Sequence, residues 1–128
     1  MPLETTEIAH LVAAMLTVNE FPVDRAVTLI PAFHRSGLLD PARVAAMPQE
    51  DVIRAMSEAG YTRGGFLPIV SFRLYKLLEA VTAGRLDSLR AAATTDDEAS
   101  FSTTLRAVHG WGPVTAVVAW HLWRRSLK

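Results

Sequence analysis

The sequence predicts an all-α fold of about eight helices in one domain spanning residues 1–128, and three observations carry that reading. Apolar residues recur at intervals of three and four along most of the chain. No stretch of useful length alternates apolar and polar residues as a half-buried strand would. Prolines and glycines fall at the edges of the periodic segments, where helices start and stop. With 128 residues, half of them apolar, the chain has enough material for a single core. It contains no repeat, low-complexity tract or linker.

The first helix is expected over residues 6–18, where Ile8, Leu11, Val12, Met15 and Leu16 share one face and Thr5 or Thr6 offers a capping hydroxyl. Pro22 opens a second, carrying Val23, Ala26, Val27 and Ile30; Pro31 has no N–H to donate and is expected to stop or kink it. Ser36-Gly37 marks a turn. Short helices are expected over 41–46 and 48–59, each beginning at a proline, the second closed by Gly60. After a connector over 61–65, Phe66, Ile69, Val70, Leu74, Leu77, Leu78 and Val81 repeat at helical spacing up to Gly84, which makes this the longest and central helix. Gly64-Gly65 and Pro68 make its start irregular. Residues 85–92 read as a short helical piece. Thr94-Thr95-Asp96-Asp97-Glu98 then supplies a cap and an acidic first turn to a helix bearing Phe101, Leu105 and Val108. The last helix opens at Pro113 with Val114, Val117, Val118 and Leu122 on one face.

Composition excludes several functions. The absence of cysteine rules out disulfides, thiolate metal sites and a Cys-ligated iron–sulfur cluster. The four histidines include no His-x-x-x-His pair, so no metal site is expected. No basic region precedes the apolar residues after Met1, and no apolar run is long enough to span a bilayer; a cytoplasmic protein without membrane contact is expected. Net charge is zero, but its distribution is lopsided. Residues 1–60 carry eight acids and four arginines, residues 61–128 nine Lys/Arg and five acids, and from Leu105 onward Arg106, Arg124, Arg125 and Lys128 are unopposed. An anion-facing surface is therefore expected at that end.

The focus of that end is Val108-His109-Gly110-Trp111-Gly112-Pro113-Val114-Thr115-Ala116. Two glycines one residue apart, able to take positive φ, followed by a proline at the first helical position, describe a tight turn feeding a helix N-terminus. Its unpaired amides carry partial positive charge and suit one phosphate of a nucleic-acid backbone.

Residues 105–116, Leu-Arg-Ala-Val-His-Gly-Trp-Gly-Pro-Val-Thr-Ala, resemble the helix-hairpin-helix of the DNA glycosylase superfamily that includes endonuclease III and the bacterial 3-methyladenine glycosylases, the motif here spanning residues 105–123. Residues 11–19, 44–48, 59–63 and 82–87 resemble further segments of that family in the same order, so the likeness covers nearly the whole chain. It implies a helical glycosylase-like architecture, largely non-specific contact with the DNA backbone, and a link to base-excision repair. It implies DNA-binding roles for His109, Gly110, Trp111, Gly112, Val114 and Thr115 at the hairpin, where a monovalent cation can also sit. The family's base-gap-filling position corresponds to Asn19, for which helix termination is the alternative.

The chemistry does not carry over. The position at which bifunctional members hold a nucleophilic lysine is Val114, so no Schiff-base lyase step is expected. Residues 116–128 contain no acid, so the family's catalytic aspartate has no counterpart. Glu20 and Asp24 are the remaining candidates for replacement acids, and no catalytic residue is assigned. Arg124 and Arg125, with Lys128, read as a phosphate clamp or as a solvated helix end. Trp111 reads as a loop anchor or a DNA contact, and Trp120 and Trp123 as core or as a stacking surface. Three functions follow: a catalytically silent DNA-binding domain; a monofunctional glycosylase for alkylated or damaged bases; or a protein-interaction module, homodimeric or with a partner protein, presenting Trp111, Trp120 and Trp123.

Overall fold

A computed structural model describes residues 2–127. It is all-helical: α1 (Thr5–Leu16), α2 (Val23–Arg35), α3 (Pro41–Ala45), α4 (Gln49–Glu58), α5 (Leu67–Thr82), α6 (Leu89–Thr94), α7 (Glu98–Arg106) and α8 (Pro113–Ser126), with a 3₁₀ turn at Gly64–Phe66 leading into α5. Among the described residues there is no strand, and no helix is long and apolar enough to cross a membrane.

Helices α1, α3 and α7 begin where side chains supply partners for backbone amides. Asp40 Oδ1 accepts from the N–H of Ala42 at 3.1 Å ahead of α3, and Asp97 Oδ1 from that of Ser100 at 3.1 Å ahead of α7. The acidic cluster before α7 is thus split: Asp97 caps α7, whereas Thr95 ends α6 by donating its hydroxyl to the Ala91 carbonyl. Helix α6 itself lies at 89–94 rather than 85–92, because Gly84 N–H donates to Val81 and Arg85 N–H to Ala80, which closes α5 in a Schellman turn and leaves 85–88 as a further turn. Ahead of α1, Glu4 takes the position expected for Thr5 or Thr6, and its N–H donates to Glu7 Oε1 at 2.7 Å.

Pro31 does not stop α2, which continues to Arg35 and closes on Ser36-Gly37, where Leu38 N–H reaches the Phe33 carbonyl at 3.0 Å. Ala26 before the proline and Phe33 after it are both fully buried, so the core anchors the helix on either side of it. Val27, whose carbonyl loses its donor to the proline ring, is 41% exposed, and water can replace the missing bond.

Helix α5 crosses the middle of the molecule, packed against α1, α3 and α4, with Val70, Leu74 and Leu77 wholly buried. Helix α1 packs on α2, α5 and α8, and α7 on α6 and α8. Two anchors orient α1 and α8. Arg90 of α6 clamps Glu7 at the start of α1 (2.6 and 2.7 Å), while the neighbouring Ala93 carbonyl and Asp96 carboxylate hold Arg124 near the end of α8 (2.8 and 3.2 Å). His10 correspondingly lies beside Trp123, ring centroids 6.2 Å apart. Both helices are thus tied to α6, and α1 packs directly on α8.

Candidate nucleic-acid interface

The turn between α7 and α8 is built from the inside out. Leu105 is fully buried and Val108 nearly so, and Trp111 follows them into the core, which pulls the chain back on itself. Trp111 N–H closes the turn on the Val108 carbonyl at 3.2 Å, and Ala116 N–H makes the first α8 bond to the Gly112 carbonyl at 3.1 Å. The amides of Gly112, Val114 and Thr115 meet no backbone acceptor among the described residues. They are not walled in. A Cβ on Gly112 would meet nothing within 4 Å, Val114 is 78% exposed, and an open depression of about 510 Å³ lined by Thr103, Arg106, Trp111, Gly112 and Pro113 lies alongside. Three outward donors at a helix N-terminus beside a groove can hold an anionic oxygen.

The two glycines differ, contrary to expectation. Gly110 has φ +88°, and a Cβ there would come within 2.7–2.9 Å of the Arg73 side chain. Gly112 is extended at φ −114° and ψ −179°, a conformation any residue adopts, so its value is the open space before it and not backbone freedom. His109 is exposed at the tip and stands edge-on to Phe72, centroids 5.3 Å apart.

Of the readings for Trp111, the structure takes the anchor: it is 7% exposed, and its buried Nε1 has no acceptor among the described residues. It offers no ring to a bound strand. Trp120 and Trp123 are likewise buried, both edge-on to Phe101 at 5.2 and 5.5 Å. The three tryptophans therefore cannot form the exposed apolar patch expected of an interaction module. The apolar face that is exposed lies elsewhere, on Phe66, Ile69 and Phe72 of the α5 region and Val114 and Val117 of α8.

Arg124 is not a phosphate clamp. Its guanidinium is bound to the Ala93 carbonyl and Asp96 and lies over the Trp120 ring at 5.2 Å. Arg125 is exposed but sits twelve residues along α8 from Pro113, about 18 Å at the helical rise. Neither converges with the hairpin, because an α8 of this length carries its basic end to the far side of the bundle. Lys128 lies outside the described residues.

Asn19 lies in the turn that follows α1. It and Glu20 both adopt positive φ, +57° and +67°, in a turn held by Arg63, which donates to the carbonyls of Val18 (2.6 Å) and Asn19 (2.9 Å). Consecutive non-glycine residues in this region are costly and persist only when their surroundings hold them. Arg63 supplies that restraint while lying over the rings of Phe66 at 4.9 Å and Phe21 at 5.2 Å. The buried Tyr61 fixes the same turn through its hydroxyl, which donates to the Leu16 carbonyl at 2.9 Å; burial pushes its pKa up and keeps it a donor. Glu20 and Asp24 are exposed at this exit from α1.

Sequence reasoning missed the cations that serve this end. Arg73, in the middle of α5, packs its stem under Gly110 and makes no ion pair among the described residues. Arg106 borders the depression beside Gly112. Arg73 carries no local signal, since only the folding of α5 against the hairpin brings it there; Arg106 stands within the motif, and only its place beside the depression sets it apart from the other basic residues of that end. Among the described residues no group of three or more His, Asp or Glu converges as a metal site. Comparison with protein-family models, with curated proteins and with solved structures finds no match to the chain.

Proposed function

We propose that the protein is a DNA-binding domain of the helix-hairpin-helix glycosylase type that grips the sugar–phosphate backbone through the Gly112, Val114 and Thr115 amides and lacks the excision chemistry of that superfamily. The single observation that carries the reading is the open, unpaired state of those amides beside a groove bordered by Arg106, with Arg73 behind the turn. Val114 at the lysine position and the absence of any acid among residues 116–128 argue for binding without glycosidic cleavage.

The test is a titration of labelled DNA followed by anisotropy over a series of salt concentrations. Backbone contact requires affinity to fall with salt at a slope of about 0.9 per neutralised phosphate. Salt-independent binding, or none, would remove the proposal. Incubating excess protein with alkylated duplex is expected to release no base; release would replace this reading with a monofunctional glycosylase using Glu20 or Asp24.

A further inference from the structure

Beside the hairpin, the α5 region exposes Phe66 (40%), Ile69 (50%) and Phe72 (45%) in a strip. Rings left open in this way lose apolar burial for no structural return, because the rest of α5 is well packed without them. Each ring also has a cation over one face, leaving the other face for a base. The Arg63 guanidinium lies 4.9 Å from the Phe66 centroid and Lys76 Nζ 5.4 Å from that of Phe72, the lysine also pairing with Glu79 at 3.6 Å. At its far end the strip meets the anion-binding turn, where Phe72 touches His109.

We infer that this strip is a stacking platform for unpaired bases, so that the partner of the hairpin is single-stranded DNA or a single-stranded stretch within a duplex. The inference rests on the hairpin reading and adds the substrate class. An apolar strip bordered by arginine and lysine suits a ligand that is itself apolar on its faces and anionic along its edge, and a nucleic-acid strand is such a ligand. Bases in an intact duplex have both faces occupied by their neighbours and cannot use the rings. The two rings, at 66 and 72, stand about 9 Å apart along the helix axis with Ile69 between them, well beyond the 3.4 Å stacking separation, so they would take bases of a strand drawn out of its stack. The hairpin amides would then hold the phosphate next to the stacked bases.

Anisotropy with a labelled oligothymidine strand and with a duplex of equal length tests this on wild type, Phe66→Ala, Phe72→Ala, Phe72→Leu and Gly112→Val. Phe66 and Phe72 are exposed, so these variants keep the fold, and circular dichroism melts check it. The expected result is tighter binding of the strand than of the duplex. Each alanine variant, and Phe72→Leu as well, should weaken strand binding by roughly tenfold while leaving duplex binding unchanged. Gly112→Val should weaken both. Equal or tighter duplex binding with neutral phenylalanine variants would overturn the platform and leave the hairpin reading standing if Gly112→Val still weakens binding. Full recovery in Phe72→Leu would also overturn it, since bulk and not a ring would then suffice. Absence of binding to either DNA by the wild type would overturn both readings.

Discussion

Substituting the two hairpin glycines one at a time should separate folding from binding. An alanine at residue 110 must adopt φ near +88°, which costs about 1–2 kcal/mol for a residue with a Cβ. That Cβ would also lie 2.7 Å from Arg73 Cγ and 2.8 Å from Cδ, so the arginine stem has to leave the position it fills beneath the turn. A chain of 128 residues has an unfolding entropy of about 0.27 kcal/mol/K, at about 2.1 cal/mol/K per residue. The penalty therefore corresponds to a fall in Tm of about 4–7 °C. At residue 112 the backbone is extended and a Cβ meets nothing within 4 Å, so even Gly112→Val should leave Tm within about 2 °C of wild type. Its branched side chain would instead stand in the space through which a phosphate reaches the amides. Loss of one charge-assisted hydrogen bond is worth about 1.5–3 kcal/mol, or roughly 10- to 150-fold in Kd. Thermal melts and DNA titrations on the two variants measure both quantities. A Gly110→Ala protein with wild-type Tm, or a folded Gly112→Val protein with wild-type affinity, would refute the geometry on which the site is built.

Arginines distribute in the same way. Arg73→Gln should lower DNA affinity and flatten the salt slope by about one phosphate, whereas Arg124→Gln should lower Tm through loss of its bonds to Ala93 and Asp96 and leave the salt slope unchanged. Stability should also fall on acidification in two stages. Burial holds the His10 pKa below its ordinary 6.5, so the unfolded chain takes up a proton first and stability declines as pH drops below that value. The hydrogen bond from Arg90 holds Glu7 below its ordinary 4.5, so the stability it contributes is present above that pH and is lost as pH falls through its lowered value. Melts from pH 7 to pH 3 on wild type and Glu7→Gln check this; the variant should show a smaller second stage, and identical acid limbs would sink the assignment.

Local pattern was sufficient for the helices because each is specified by residues a few positions apart. The spacing of Ile8, Leu11, Val12 and Met15 marks α1 as one buried face, and Pro41 and Pro113 stand at first helical positions because their missing N–H costs nothing there. The outward amides of the hairpin were legible for the same reason, being a property of a short turn before a proline.

What needed the tertiary structure was everything decided by residues far apart in the chain. Pro31 continues α2 because Ala26 and Phe33 are gripped on either side of it by the core. Arg124 stands in a run of basic residues whose sequence suits a phosphate, yet Ala93 and Asp96, thirty residues upstream, have already taken its guanidinium. Trp111, Trp120 and Trp123 could face either way until the packing of α7 against α8 buried them. Arg73 and the Phe66–Phe72 strip join the hairpin only because α5 lies beside it. Sequence periodicity selects a helix and its apolar side, but which side chains meet across helices depends on the sum of burial over the whole core.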